Sequence, residues 1–461
     1  VKIALETLTP CFQGIFPSAF YTCSKAGIPN CAILSHVEYL DPNHVALSFQ
    51  FFNKSRRNIA ENPKALLRVY DPDNGQCYEM RVTYVRSETS GPTFESMNLR
   101  IEAIAAHSGL KGIFKLLAAD IYEVESVEKA LDEVGIRAAR GAARESTPPD
   151  ALFTMKALQD FTDRIHRATC LEGLLDSILE GLDTLFGFNH SIILLPDEQP
   201  GRLVTIASRG YPENGVGAEV GIGDGIIGLV AEAQKPIRIS GLVRQMLYAF
   251  AVMTRAQEKG LNPENRRIPL PGLASPESQL GIPLLARGEL VGVLCIESEK
   301  PYRFHEEDKV YLEVLGGYLA IAIQNMLLRD RTEETVDEPA APAPLPLAPP
   351  PGPGKRCEIA YYAADEVILM DGEYLVRSLP AKILWKLLRE RDAHGRSEFT
   401  NRELRLDKSL ALPAYKDNLE SRLILLRKRL EQRCPEIRIV PSSRGRFTLE
   451  LGCVTALVEK P

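Results

Sequence analysis

The 461-residue sequence predicts a multidomain protein with three units in series: an all-β barrel, an α/β domain, and an α+β domain that ends in a hairpin. Three observations carry this reading. A chain of this length exceeds what one hydrophobic core holds, at roughly 150 residues per domain. Eight of the seventeen residues from Glu338 to Gly354 are proline, and such a stretch builds neither helix nor ladder but an extended tether. Near residues 133–150 the hydrophobic pattern changes from strand-like alternation upstream to long helical periods downstream. The units so divided are 1–130, 151–330 and 355–455, with the linker at 338–354.

Composition narrows the class. Hydrophobic residues at 45% and charged residues at 25% are globular values, so extensive disorder and fibrous structure are excluded. The nine cysteines form no CxxC pair, which favours reduced thiols over a disulfide framework or a zinc finger. The opening VKIALETLTP has neither a basic leader nor a long apolar run, so the expectation is a cytoplasmic protein without a membrane span. The net charge of −6 hides an asymmetry: residues 355–461 carry 21 Lys and Arg against 16 Asp and Glu. A basic end on an acidic chain points toward a polyanion.

In the first unit, SAFYTC, CAILSHVEYL, VALSFQFF and ALLRVYD read as strands separated by Gly, Pro and Asn turns. Phe51 to Pro63, FFNKSRRNIAENP, is a strand end rich in donors followed by a cationic helix start, a combination suited to a phosphate monoester. The order GIPN, LSFQFF, NKSRRNI and ENP resembles the pyridoxamine-phosphate-oxidase family of FMN-binding split barrels. The resemblance implies that Asn53, Lys54 and Ser55 hold the FMN phosphate, that Ser48 and Gln50 lie nearer the isoalloxazine, and that Arg56 and Arg57 assist. Haem and a deazaflavin are alternative cofactors, and homodimers are common among such proteins. The family's C-terminal substrate motif is missing, so vitamin metabolism is not expected. Cys23 and Cys31, with Cys11 as a third thiol upstream, read as a redox pair or a cluster site, or as buried small thiols.

In the second unit two helical segments precede the strands HSIILLP and RLVTIASRG, and a glycine turn then opens a helix. The close is a hairpin about Gly288, QLGIPLLARGELVGVLCIES, and a final helix begun by acidic residues. This order resembles the GAF domain, which implies a small-molecule pocket under a variable lid, here Leu242 to Ser275. Met246, Tyr248, Phe250 and Met253 are candidate lining residues, while His190 and Cys295 are candidate cofactor ligands or, as lone residues of this kind more often are, structural.

Beyond the tether come two short strands about Asp371 and Gly372, a helix, a short helix capped by Thr400 or Asn401, a long helix and a terminal hairpin. The series resembles the winged helix-turn-helix output domain of response regulators. In such a domain the long helix enters the major groove and the wing touches phosphate. Arg422, Lys428, Arg429, Arg444 and Arg446 are therefore candidate DNA contacts. Ile424 and Leu425 depart from the pattern, because exposed aliphatics there serve a protein contact as well as they serve DNA.

The function expected is a redox- or small-molecule-responsive transcriptional regulator that dimerises and binds DNA. A flavin-dependent oxidoreductase governed by its appended domains, or a non-catalytic scaffold, are the alternatives.

Overall fold

The structure, a computed structural model, describes residues 3–12, 18–130, 151–241, 272–333 and 356–460, apart from short gaps at 35, 51–52, 73–74, 108–114, 198–199, 212–214, 274, 302, 411, 413–418 and 444. The proline-rich linker, the 133–150 boundary and most of the lid lie outside the described residues.

The first module is a seven-stranded antiparallel sheet in the order β2-β1-β5-β6-β7-β4-β3. Its strands are β1 (Ser18–Cys23), β2 (Pro29–Leu34), β3 (Val37–Asp41), β4 (His44–Phe49), β5 (Lys64–Tyr70), β6 (Cys77–Glu88) and β7 (Ala118–Lys129). Alternation sets the faces: Leu67 and Val69 are fully buried, while Arg68 between them pairs across the ladder with Glu79. Two helices interrupt the sheet: α1 (Asn53–Glu61), where a short helix was expected, and the longer α2 (Pro92–His107), which the expectation of an all-β unit did not include. Met97, Ile101 and Ala105 recur every fourth residue of α2 and pack on this module, whereas Ala103 joins the core of the next one. Burial on two sides blurs the one-sided stripe by which a helix is recognised in sequence.

The second module is a six-stranded sheet, β10-β9-β8-β13-β12-β11. Its elements in chain order are α3 (Ala151–Arg167), α4 (Leu171–Phe186), β8 (His190–Pro196), β9 (Arg202–Arg209), β10 (Glu219–Gly221), α5 (Gly225–Ala233), β11 (Ile237–Ser240), β12 (Ser278–Ala286), β13 (Glu289–Ser298) and α6 (Glu306–Glu333). Both faces of the sheet are buried, so HSIILLP reads as a continuous apolar run. Ile193, Leu195, Leu294 and Ile296 face α3, α4 and α6; Ile192, Leu194, Val293 and Cys295 face α5 and α2 of the first module. The tight entry to α5 requires glycine at 228, where a Cβ would lie 2.2 Å from the Gly221 carbonyl oxygen. The hairpin turn places Arg287 and Gly288 at positive φ, the two-residue geometry that matches strand twist.

The span Glu306–Leu328 of α6 is long and apolar enough by composition to cross a membrane, and here it lies along the sheet. Leu312, Leu315, Leu319 and Ile323 enter the core. Val310, Val314, Tyr318, Ile321 and Leu328 form an exposed stripe on the other side.

The third module pairs β14 (Arg356–Tyr362), β15 (Val367–Met370), β16 (Glu373–Arg377) and β20 (Val454–Lys460) in the order β16-β15-β14-β20. A second sheet, β17-β19-β18, holds β17 (Glu398–Thr400), β18 (Ile437–Ser443) and β19 (Arg446–Leu451). Between the sheets run α7 (Ser378–His394), α8 (Asn401–Leu406) and α9 (Leu419–Arg433). Thr400 is the N-cap of α8 and shares a reciprocal capping box with Glu403. The parallel pairing of β14 with β20 joins the two ends of the module, a long-range contact that no local pattern announces.

Candidate functional site

Three clusters were candidates from the sequence. In the first module the strand β4 ends at Phe49 and α1 begins at Asn53, so Asn53, Lys54 and Ser55 form the first helical turn rather than a strand end. Free backbone N–H groups and the helix dipole therefore meet the same cations. Ser48, Gln50 and Ser55 are buried, and Lys54, Arg56 and Arg57 are exposed. Ser48 Oγ accepts from the His36 amide at 3.1 Å, and Asn30 Nδ2 donates to Ser55 Oγ at 2.9 Å.

Ser48, Ser55 and Arg56 share a cavity of about 110 Å³ with Tyr84, Ser87, Asp120 and Tyr122. The Arg56 guanidinium lies 4.5 Å from the Phe49 ring centroid. Burial raises the Asp120 pKa, against a hydrogen bond from Ser87 Oγ at 2.5 Å and the charge of Arg56. The donor set fits a phosphate. The enclosed volume is smaller than a tricyclic isoalloxazine, which would have to extend over the open side of the sheet. Cys23 and Cys31 occupy paired strands out of register, since Cys31 faces Tyr21; all three N-terminal cysteines are free thiols.

In the second module Met246, Tyr248, Phe250 and Met253 lie outside the described residues. What the structure shows in this module is a buried polar cluster that sequence reasoning missed. Glu297, 3% exposed, accepts from the Leu273 amide at 2.7 Å, Gln279 Nε2 at 2.7 Å and Tyr211 Oη at 3.1 Å. Burial outweighs these three donors and pushes its pKa up to about 7. Gln279 also donates to Cys295 Sγ at 3.4 Å, and the His190 ring sits 5.4 Å from that of Tyr211. The available signal was parity: Val293, Cys295 and Glu297 share one face of β13, and a carboxylate there interrupts an apolar series.

The third cluster requires the largest correction. Ile424 and Leu425, read from sequence as exposed, are 0% and 6% exposed and belong to the core of the second module. The helix α9 lies on α4 and β9 and is fastened by ion pairs. Arg422 Nη2 donates to Asp197 Oδ1 at 2.7 Å, Lys428 Nζ to Asp176 Oδ1 at 2.8 Å, and Arg427 Nη2 reaches Glu172 Oε2 at 3.0 Å. From the adjoining strand, Arg377 Nε donates to Glu219 Oε1 at 2.7 Å. The face expected to carry DNA contacts is thus occupied within the chain. Arg429 points into the same seam, Arg446 sits half-buried at the start of β19, and Arg444 lies outside the described residues.

A family model for the GAF domain matches residues 168–324. Small-molecule sensing or binding is the role this domain suggests. No curated protein matches the chain. Among solved structures, the GAF domain of a phosphoenolpyruvate-protein phosphotransferase from Coxiella burnetii is 25% identical, with 40% of this chain and 99% of that chain covered and a TM-score of 0.33. Free methionine-R-sulfoxide reductase from Neisseria meningitidis is 18% identical over 40% of this chain and 96% of that chain, TM-score 0.31. An FMN-binding protein from Syntrophomonas wolfei subsp. wolfei is 16% identical over 28% of this chain and 88% of that chain, TM-score 0.24.

Proposed function

We propose that the chain is a cytoplasmic, ligand-responsive regulator whose C-terminal module, of winged helix-turn-helix type, is a DNA-binding output held shut against the GAF domain. The observation that carries this reading is the seating of α9. Its aliphatic pair completes the GAF core, and its cations neutralise GAF carboxylates. Burying two such side chains contributes roughly 3–6 kcal/mol before the ordering cost, enough to hold one module on another yet within reach of a ligand's differential binding. Release would return Arg422, Lys428 and Arg429 to a surface that meets phosphate, with Arg444 and Arg446 as the further candidate contacts.

The test reverses charge on the GAF side only, with Asp176→Lys and Asp197→Lys, leaving the reading face intact. Retention on duplex DNA should rise about tenfold or more and fall steeply with salt. Undocked protein, identified by new proteolytic cleavage between the modules, that holds DNA no better than the parent would sink the proposal.

The first module, read as a split barrel, would hold FMN through Asn53, Lys54, Ser55, Arg56 and Arg57 at the phosphate, with Ser48 and Gln50 toward the ring. A flavin supplies redox chemistry when bound. The side chains Tyr84, Asp120 and Tyr122 shape the adjacent wall, and this wall favours the second reading, a flavin-dependent oxidoreductase. Steady NAD(P)H consumption would separate it from a redox sensor.

The exposed stripe of α6 supports a homodimer. Val310, Val314, Gly317, Ile321, Gln324 and Leu328 follow 4-3-4-3-4 spacing, the seam of a paired helix. Ile321→Asp should sediment as a monomer; a wild-type protein that is itself monomeric at micromolar concentration removes the dimer.

A further inference from the structure

The seam between the GAF domain and the third module is not closely packed along its whole length. A cleft of about 610 Å³ lies between the turn 215–218 with β10 on one side and β16, the start of α7 and the outer edge of α9 on the other. Its size is that of a small-molecule site. Four guanidinium groups line it, Arg377, Arg422, Arg429 and Arg433, against two carboxylates, Asp197 and Glu219.

Both carboxylates are engaged already. Asp197 accepts from Arg422, and Glu219 accepts from Arg377 and from Arg202 Nη1 at 3.0 Å. Among the described residues Arg433 reaches Glu373, at 3.5 Å, and that pair is more than half exposed on both sides. Arg429 donates its Nε to the Leu375 carbonyl at 3.2 Å and lies 5.9 Å from the Tyr374 ring centroid. No carboxylate among the described residues pairs with it. Burial and the charge of Arg433 both press its pKa down, the mark of a cation taken partly out of water beside a like charge. The rest of the lining near it is apolar, from Leu375, Val376, Leu379 and Leu425, with the Tyr374 ring 48% exposed.

We propose that this cleft binds a small phosphate monoester carrying a flat ring, with the phosphate on Arg429 and Arg433 and the ring against Tyr374. The planar guanidinium fork matches phosphate oxygens in pairs, and an anion here supplies the counter-charge that Arg429 lacks. Because the walls come from two modules, the bound molecule fastens the docked arrangement. The site stands on the cleft itself and does not depend on a DNA-binding role, so either can fail alone.

Titration calorimetry of the full chain at low ionic strength tests it, with phenyl phosphate and inorganic phosphate as probes. Phenyl phosphate should bind with a Kd below about 1 mM, and more tightly than phosphate. Arg429→Gln, which keeps a donor for Leu375 but removes the charge, should weaken it about tenfold. Gln432→Glu, an exposed substitution on the lining that spares the fold, should weaken it too, while Arg438→Gln, on the exposed side of β18 away from both the cleft and the seam, should not. Absence of binding to the parent protein at about 1 mM overturns the site. So does binding that Arg429→Gln and Gln432→Glu leave unchanged, since the probe would then sit elsewhere.

Discussion

The helices α1 and α9 carry similar cationic sequences, and the fold uses them in opposite ways. In α1, Lys54, Arg56 and Arg57 stand exposed on the first turns, above the buried hydroxyls of Ser48 and Ser55. In α9, Arg422 is 2% exposed, and its neighbours Arg427 and Lys428 end on GAF carboxylates. The α1 cations face solvent, and those of α9 are spent on internal carboxylates. A run of basic residues therefore specifies a charge to be neutralised, and the tertiary structure decides by what.

The sharpest test of this contrast is Arg422→Ala. It leaves Asp197, 14% exposed at its side chain, without its guanidinium, and should cost about 3–5 kcal/mol in denaturant unfolding. Adding Asp197→Asn should recover most of the loss. A single-mutant cost near zero would mean that α9 is not seated on the GAF domain in solution.

Glu297 sharpens the comparison from the other side, as a buried carboxyl with donors but, among the described residues, no cation. Its folded pKa of about 7 exceeds the ordinary 4.5, so the folded state binds the extra proton between those values. Stability should then be greatest below pH 4.5 as far as this group is concerned, and fall by about 3 kcal/mol as pH rises through 7. Glu297→Gln should flatten that slope in unfolding curves recorded across the range. An identical slope in the variant would assign the titration to another group.

The smallest expected effect on stability belongs to Arg56→Ala, at about 0.5 kcal/mol or less, because the side chain is exposed, lying over the Phe49 ring and acting on Asp120 by charge alone. Uptake of FMN, followed by fluorescence quenching, should nevertheless weaken about tenfold. If Arg56→Ala destabilised the fold as much as Arg422→Ala, the distinction between an open and a spent cluster would collapse.

What the sequence by itself determined was local. Alternation in VALSFQ and ALLRVYD marked strands, Gly288 marked a hairpin turn, and Thr400 or Asn401 marked a helix start, because each rests on residues within a few positions of one another. The elements missed have partners far along the chain. The helix α2 was hidden because it is buried by two modules at once, and β14 because its ladder closes with β20 at the other end of the third unit. The same holds for function. The cationic first turn of α1 was legible because its residues are contiguous. The seating of Ile424 and Leu425, the buried acid at Glu297 and the arginine-lined cleft arise where surfaces distant in sequence meet, and only the tertiary structure decided which charges were left without a partner.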